Sequence, residues 1–408
     1  MTIKEKEIVR ELAKQYLEMA NSEKQRKMYE RMRATNDLKV GRPPVLLDEI
    51  PWYQMDIDNE LVCLCEDPRA RGIEYEFRKA IYRWKHLRAD TLFEPHYNVY
   101  MAYESSGIGV QRDEEILRTD DQNNIVSHGL KDVLEDESAL ELMHDPVFTA
   151  RPDLDEERMN FCTDLLGDSI PVKLVGHGIL YGPIWDWISF LRGVEPIMID
   201  LYERPEYLHA IVQKYVSAMN AEMDWVEKNL RVEPNPVDLH CTPGVVSGLA
   251  NEGWKATWFR GMAQPFGSVS PQMVEEFEVD YIKPLAERCG YTYYGCCEPL
   301  DRKINIIKKI NNLRKIGVSP WANVEACAEQ IGKDYVFARK PNPANVALAT
   351  DPEVIRKETE ETVKACLKYG CPYELVLKDI STVSRNPKNL IVWADTVNEV
   401  LDKYYGKE

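Results

Sequence analysis

The order of short apolar runs along the chain constrains its fold more than any other feature. Beyond residue 40, apolar runs of strand length alternate with segments of helical periodicity. This alternation is typical of a parallel sheet with helices packed against it. Eight such runs predict an α/β fold, a single (β/α)8 TIM barrel. The runs are Val45–Ile50, Leu92–Ala102, Pro171–Gly176, Pro236–Leu239, Tyr291–Gly295, Lys315–Ser319, Tyr335–Ala338 and Tyr373–Leu377.

The segments between these runs carry helix-start signals, such as Ser270 before Pro271 and Asp351 before Pro352. Helices are predicted over 204–229, 271–289, 300–312, 324–331, 352–369 and 386–405. Residues 3–36 are highly charged and have helical periodicity, and the segment 39–44 ends this helical region. We therefore expect an N-terminal helical extension over 1–40 and the barrel over 41–408. The segment 107–152 is too long for an ordinary loop and predicts an inserted, acidic lid at the barrel mouth.

Composition narrows the class of protein. The 408 residues carry a formal net charge of −17, which argues against nucleic acid and anionic membranes as partners because both would repel the chain. No apolar run approaches the ~20 residues that a membrane span requires. The charged N-terminus lacks the apolar core of a secretory signal. We expect a cytoplasmic protein with its ten cysteines reduced. A homodimer is possible.

Chemically capable side chains follow several of the predicted strands. Cys296, Cys297 and Glu298 come after the fifth run, and His240 with Cys241 ends the fourth. Because a TIM barrel builds its active site at the carboxyl ends of its strands, these positions predict an enzyme. We assign catalytic roles to His240, Glu298 and Asp379. A metal site formed by Cys296, Glu298 and His240 is one possibility. For Asp379, an ion pair with Lys378 or Arg385 is the alternative.

The chain resembles the uroporphyrinogen decarboxylase superfamily, whose members are (β/α)8 barrels. The resemblance covers residue 41 to the C-terminus, and the order of several short motifs carries it. These motifs are Gly41–Val45, Pro171–Gly178, Tyr181–Pro183, Phe266–Pro271, Ala286–Cys297 and Lys340–Pro343. The decarboxylase branch has an arginine-rich segment after its first strand, where this chain has Asp48 and Glu49 and no arginine. The sequence therefore favours the other branch, the corrinoid-dependent methyltransferases.

Two kinds of zinc site occur among the methyltransferases that the chain resembles. Those that methylate thiols have His-x-Cys at the fifth strand and Cys at the eighth, of which only Cys296 is present here. Those that demethylate aryl ethers have a Glu-x14-Glu-x20-His spacing, which Glu141, Glu156 and His177 match. The resemblance thus implies zinc, with Glu141, Glu156, His177 and Cys296 as candidate ligands.

The resemblance also implies a substrate and a partner. The expected reaction moves a methyl group from a small methoxylated aromatic compound to the cobalamin of a partner corrinoid protein. Residues near the predicted strand ends are suited to holding an aromatic ring and its polar substituents. We assign substrate binding to Trp185, Trp321, Asn323, Arg339 and Tyr97. A thiol methyltransferase and a non-catalytic tetrapyrrole-binding protein are the alternatives.

Overall fold

The computed structural model describes residues 1–118, 126–348 and 350–407. Its strands are β1 Val45–Leu47, β2 Tyr97–Tyr100, β3 Tyr103–Ser105, β4 Glu114–Leu117, β5 Ser127–Leu130, β6 Phe148–Ala150, β7 Val172–Val175, β8 Ile179–Gly182, β9 Trp258–Gly261, β10 Tyr291–Tyr294, β11 Leu313–Val318, β12 Val336–Arg339 and β13 Tyr373–Leu377. Its α-helices are α1 Ile3–Ala20, α2 Glu23–Asn36, α3 Pro68–His86, α4 Ala139–Leu142, α5 Pro152–Leu166, α6 Ile184–Arg192, α7 Val194–Glu203, α8 Pro205–Asn229, α9 Pro271–Val274, α10 Asp280–Ala286, α11 Ile304–Ile307, α12 Val324–Ile331, α13 Ala344–Ala347, α14 Pro352–Tyr369 and α15 Lys388–Tyr405.

Seven parallel strands form the main sheet, in the order β1-β13-β12-β11-β10-β9-β8. From β8 to β13 the spatial order follows the chain, and β1 then joins next to β13. This is the strand order of a TIM-like barrel. Within the described ranges β1 and β8 do not pair, so the sheet is a curled, open one. The closed eight-stranded barrel is therefore found only in part.

Five of the eight predicted strands belong to this sheet, as β1, β10, β11, β12 and β13. The sequence analysis missed β8 and β9. In β9 the sequence is Trp-Phe-Arg-Gly, and the fully buried Arg260 interrupts what would otherwise be an apolar run. The predicted second and third strands exist as β2 and β7, but they pair with each other in a separate two-stranded parallel sheet.

The predicted fourth strand, Pro236–Leu239, is wrong. Proline cannot donate a backbone hydrogen bond to a neighbouring strand, and Pro236 and Pro243 flank this segment. The chain turns instead, with the Leu239 amide donating to the Thr242 carbonyl at 2.7 Å and the Gly244 amide donating to the Pro236 carbonyl at 2.8 Å. We call residues 238–246 the inner loop.

The inner loop packs against side chains of the main sheet. Trp258 Nε1 of β9 donates to the Gly244 carbonyl at 2.7 Å, and Leu239 and Val246 pack in one cluster with Trp258 and Tyr293. These contacts bring His240 and Cys241 to the strand ends from a loop rather than from a strand.

The inserted segment forms two antiparallel strand pairs, β3 with β6 and β4 with β5. Its contacts run to helices: Tyr207 Oη of α8 donates to the Leu134 carbonyl at 2.7 Å, and Val133 N donates to the Leu191 carbonyl at 2.8 Å. The insertion is thus present and packs on α6 and α8. The part of the predicted lid over 119–125 lies outside the described residues.

The N-terminal residues 3–36 form two helices rather than one, because Ser22 caps a new helix by accepting from the Gln25 amide at 3.1 Å. Asn36 at the end of α2 donates to the carbonyls of Pro243 and Val245 in the inner loop. The predicted helices 324–331 and 352–369 are confirmed as α12 and α14. Across the described ranges, no helix has the length and apolarity to cross a membrane.

Candidate active site

The end of β10 places a cysteine at the centre of the site. Gly295 follows the strand with φ 94°, a backbone conformation that favours glycine. A Cβ at Gly295 would lie 2.4 Å from Leu300 Cδ1, so the position also lacks space for a side chain. This turn directs the chain into Cys296, which is 1% exposed.

Cys296 is surrounded by groups that favour its thiolate form. Lys378 Nζ donates to Cys296 Sγ at 3.2 Å, and the Cys297 thiol lies 3.7 Å away. The hydrogen bond from Cys297, against an opposing effect of burial, lowers the pKa of Cys296 far below its ordinary value; a hydrogen bond from His240 adds to this. The lowered pKa and the contact with the Lys378 ammonium group both favour the thiolate form of the buried Cys296.

Glu298 accepts hydrogen bonds from the backbone near the end of β10. Its carboxylate accepts from the Cys296 amide at 2.9 Å and from the Ala263 amide at 3.4 Å. Burial, and next the charge of Cys296, raise the pKa of Glu298 to about 7. Since its oxygens contact the backbone, Glu298 positions Cys296 rather than facing a ligand directly.

A second group of ligand-type side chains lies beside Cys296. One donor atom each from Glu49, His240 and Cys241 lies within 4.8 Å of the other two. Cys241 Sγ lies 3.9 Å from Glu49 Oε1. Among residues 1–118, 126–348 and 350–407 this is the one group of three or more His, Cys, Asp or Glu donors that converge in this way. We call it the strand-end triad.

The backbone of the strand-end triad is unusual. Glu49, His240 and Cys241 have φ values of 49°, 54° and 72°, and the neighbouring Asp379 has φ 57°. Non-glycine residues adopt this left-handed conformation at a cost, and such residues cluster at functional sites. Four of them in one place indicate that the fold holds these side chains in a set arrangement.

The triad fits a divalent metal of the zinc type. Carboxylate oxygen, imidazole nitrogen and thiolate sulfur are the ligands that zinc uses, and three protein ligands leave a position for substrate. The surrounding residues orient the carboxylate: the Asp379 amide donates to Glu49 Oε2 at 2.8 Å, and Lys378 Nζ lies 3.6 Å from the same oxygen. Contacts of this kind fix the orientation of a ligating side chain.

Beneath the site, the inward-facing side chains of the sheet form a charged layer. Arg260 of β9 lies over the ring of Tyr293, 3.8 Å from its centroid. Lys340 Nζ donates to Tyr293 Oη at 2.8 Å, and Lys315 Nζ pairs with Glu374 Oε2 at 2.8 Å. All five side chains are at most 2% exposed. We call them the charged floor.

The predicted catalytic residues do lie together. Cys297 Sγ is 3.0 Å from Asp379 Oδ2, and His240 contacts Cys296, which Glu298 supports from the backbone side. The predicted grouping of His240, Glu298 and Cys296 is therefore found in one place. The metal-type donors next to His240, however, are Glu49 and Cys241, while Glu298 is occupied by backbone amides.

The predicted ligand set Glu141, Glu156 and His177 is not assembled. Glu141 on α4 and Glu156 on α5 are exposed, and these three residues do not appear among the converging donors of the described chain. The ring of His177 lies between Tyr103 and Trp254, at centroid distances of 5.9 and 5.7 Å. Burial lowers the pKa of His177, so the structure places it as a neutral imidazole among aromatic rings.

Four of the predicted substrate-binding residues have internal partners instead. Trp185 is fully buried, and its Nε1 donates to the Phe277 carbonyl at 2.8 Å. Asn323 caps α12 by accepting from the Ala326 amide at 2.9 Å. Arg339 pairs with Glu358 at 3.2 Å, and Tyr97 Oη donates to Glu76 at 2.9 Å. Trp321, after β11, is 70% exposed and has no such role.

Several site residues were missed by the sequence analysis. Lys378 follows β13 directly and Glu49 lies two residues after the end of β1, so the strand-end rule that identified Cys296 would have identified them too. Arg260 and Lys315 are charged residues inside buried strands, and a charge within an apolar run is the signal that marks them. Nothing in the sequence signals that the inner loop carries Cys241 to Glu49.

Comparisons with known proteins give little further information. No protein-family model matches the chain, and no curated protein matches it. Among solved structures, the chain is similar to a methyltransferase from Methanosarcina mazei, with 14% sequence identity and a TM-score of 0.46, over 93% of this chain and 99% of that one.

Proposed function

We propose that the protein is a metal-assisted methyltransferase that moves a methyl group from a methoxylated aromatic compound to the corrinoid of a partner protein. The observation that carries the proposal is the convergence of Glu49, His240 and Cys241 at the strand ends, next to the Cys296 thiolate. The reaction class comes from the resemblance of the sequence to the superfamily that includes the corrinoid-dependent methyltransferases.

The chemistry of aryl-ether cleavage explains why such a site is needed. When the methyl group leaves, the ether oxygen becomes a phenolate, whose conjugate acid has a pKa near the tyrosine value of about 10. A phenolate therefore leaves poorly at neutral pH unless its developing negative charge is stabilised. A zinc-type ion held by the triad would supply a Lewis acid for that oxygen.

The chain's own residues complete this environment. Lys378, only 4% exposed, brings a positive charge to within 3.2 Å of Cys296 Sγ and 3.6 Å of Glu49 Oε2. Burial lowers the pKa of Lys378, but the charges of Cys296 and of neighbouring acidic groups such as Glu49 together outweigh it and raise the pKa above its ordinary value. Lys378 therefore stays protonated and stabilises negative charge that develops beside the triad.

The open strand ends offer the partner a route to the methyl group. Glu49 and Asp379 are exposed at this face, and the Trp321 ring is 70% exposed on the loop after β11. Exposed tryptophans are common anchor residues of protein interfaces. We assign Trp321 to contact with the corrinoid protein rather than with the aromatic substrate.

The test is a methyl-transfer assay with zinc-loaded protein, a reduced corrinoid protein and a panel of methoxylated aromatics. The expected result is release of the free phenol, coupled to methylation of the corrinoid. Cys241→Ser and Glu49→Gln should each lower the rate by a factor on the order of 100 or more, whereas His128→Gln, an exposed histidine in the insertion, should not change it. Full activity in both triad variants would disprove the proposal.

A thiol methyltransferase is the second candidate, because Cys241 and Cys296 make the site rich in sulfur, as in the thiol-methylating enzymes that the chain resembles. The same assay run in reverse separates the two. A methylated corrinoid that transfers its methyl group to a small thiol, together with no phenol release from any methoxylated aromatic, would establish this candidate instead.

A further inference from the structure

The charged floor contains cations without acidic partners. Lys315 is neutralised by Glu374, which also accepts from Thr242 Oγ1 at 2.9 Å. Arg260 and Lys340 form no salt bridge with any described residue, and their close contacts are with the Tyr293 ring and hydroxyl. Both are buried, at 0% and 2% exposed. Buried charges are normally paired or hydrogen-bonded, so these two indicate a missing anion.

The guanidinium group of Arg260 shows which kind of anion fits. Its Nη1 donates to the Gly261 carbonyl at 2.8 Å, while Nε and Nη2 are buried and have no hydrogen-bond partner among the described residues. Nε and Nη2 form one edge of the planar group and donate in parallel. This edge matches the two oxygens of a carboxylate, which arginine commonly binds through two such bonds.

The position of this edge relates it to the active site. Burial alone would lower the pKa of Arg260, but the neighbouring Tyr293 and Cys296 raise it, so the guanidinium stays charged. Its positive charge interacts electrostatically with Cys296. The positive charge of Lys340 also interacts electrostatically with Tyr293 and Cys296. The anions nearby are already engaged, since Glu374 pairs with Lys315, Glu298 accepts from backbone amides and Cys296 Sγ accepts from Lys378. An acid group of a ligand would complete the set.

We propose that Arg260 and Lys340 bind the carboxylate of the substrate, so that the substrate is an aromatic carboxylic acid with its other end directed to the strand-end triad. This inference rests on the proposed function for the identity of the reacting group. The carboxylate site itself is independent of methyl transfer, because its residues lie in β9 and directly after β12 rather than in the triad.

The test measures binding of simple probes to metal-free protein, treated with a chelator and without any corrinoid. Calorimetry with benzoate, benzamide and benzenesulfonate compares a carboxylate with its neutral analogue and with a different oxyacid. We expect benzoate to bind roughly 10- to 100-fold more tightly than benzamide, the difference that charged hydrogen bonds provide. Equal binding of benzoate and benzamide, or tighter binding of benzenesulfonate, would overturn the assignment.

Variants locate the site. Arg260→Gln should weaken benzoate binding by a factor on the order of 10 to 100, and Arg260→Lys should restore only part of it, because lysine keeps the charge but lacks the two-nitrogen edge. Arg69→Gln, which removes an exposed arginine, is the control. If Arg260→Gln does not fold, Lys340→Gln replaces it with the same expectation. Benzoate binding that is unchanged in the folded variants would disprove the proposal.

These results separate the two proposals. A protein that binds benzoate through Arg260 but transfers no methyl group retains the carboxylate site and loses the proposed function. A protein that demethylates aromatics while binding benzoate and benzamide equally retains the function and loses the carboxylate site.

Discussion

Two regions of the molecule contain residue types that bind metals. One is the strand-end triad, and the other is the set of Glu141, Glu156 and His177. The members of the first come from two distant parts of the chain, residue 49 and residues 240–241, and converge to within 4.8 Å. The members of the second have a regular spacing in the sequence, yet two of them are exposed on different helices and the third lies among aromatic rings. Convergence in the fold, not spacing along the chain, distinguishes the candidate site.

The physical reason lies in the architecture. Parallel strands bring their carboxyl ends to one edge, so residues that follow β1, β10 and β13 meet whatever their separation in sequence. The inner loop adds His240 and Cys241 at the same edge, next to Glu49. Glu141 and Glu156 belong to the insertion and to α5, which pack outside the main sheet. The following predictions test this contrast, from the largest expected effect to the smallest.

The largest effect concerns the charged floor under the triad. Lys315→Met removes one partner of a buried ion pair and leaves Glu374 unpaired, so we expect a loss of about 3–5 kcal/mol in the free energy of unfolding. Chemical denaturation measures it. The control is Lys364→Met, which removes an exposed lysine paired with Glu360 and should have little effect on stability. A similar small cost for Lys315→Met would show that the floor contributes little to stability.

The next effect concerns catalysis. His240→Ala removes one triad ligand and a hydrogen bond to Cys296, so the methyl-transfer rate should fall by a factor on the order of 100 or more. The matched change in the other region, His177→Ala, should leave the rate within about threefold once the variant's folded fraction is taken into account. If single-turnover assays showed a larger loss of rate in His177→Ala than in His240→Ala, the metal site would have to be assigned to His177 instead.

A smaller effect concerns the partner. Trp321→Ala should raise the concentration of corrinoid protein needed for half-maximal rate about tenfold, because an exposed anchor is lost. The rate at saturating partner, and the KM for the aromatic substrate, should not change. Tyr202→Ala, which removes another exposed aromatic ring, from α7, is the control. A changed substrate KM would return Trp321 to the substrate-binding role that the sequence predicts.

The smallest effect is a dependence of stability on pH. Burial lowers the pKa of His177 below its ordinary value of 6.5, so the unfolded chain takes up a proton before the folded one does. The stability that a neutral His177 provides is therefore complete above pH 6.5 and is lost as the pH falls. Denaturation at pH 7.5 and 5.5 should show a smaller loss in His177→Phe than in wild type. An equal loss would mean that His177 is not the buried neutral group described here.

Much of the fold was predictable from the sequence, because buried parallel strands are continuous apolar runs. Tyr373–Leu377 became β13 as predicted, and the run at 335–338 became β12. The prediction failed where that rule fails. The charged Arg260 interrupts the apolar run of β9, so β9 was not recognised as a strand. The prolines around the inner loop prevent an apolar stretch from forming a strand. The site was predictable in part for the same reason.

Residues close to the ends of strands, such as Cys296 and Asp379, were identified from their positions and from the family resemblance. Cys241 was noticed in the sequence at the end of a predicted strand, but its place beside Glu49 was not predictable, because it depends on a left-handed turn. Substrate-binding roles were the least predictable, since an aromatic or polar residue near a strand end can equally be a helix cap, as Asn323 is, or a core residue, as Trp185 is.

Metal content tests the central claim most directly. Wild-type protein, Cys241→Ser and His177→Ala would be purified in parallel, loaded with zinc, and analysed by mass spectrometry for metal bound per chain. We expect about one zinc per chain in the wild type and in His177→Ala, and a loss of most of it in Cys241→Ser. Zinc that stays in Cys241→Ser and disappears in His177→Ala would contradict the assignment of the metal to the strand-end triad.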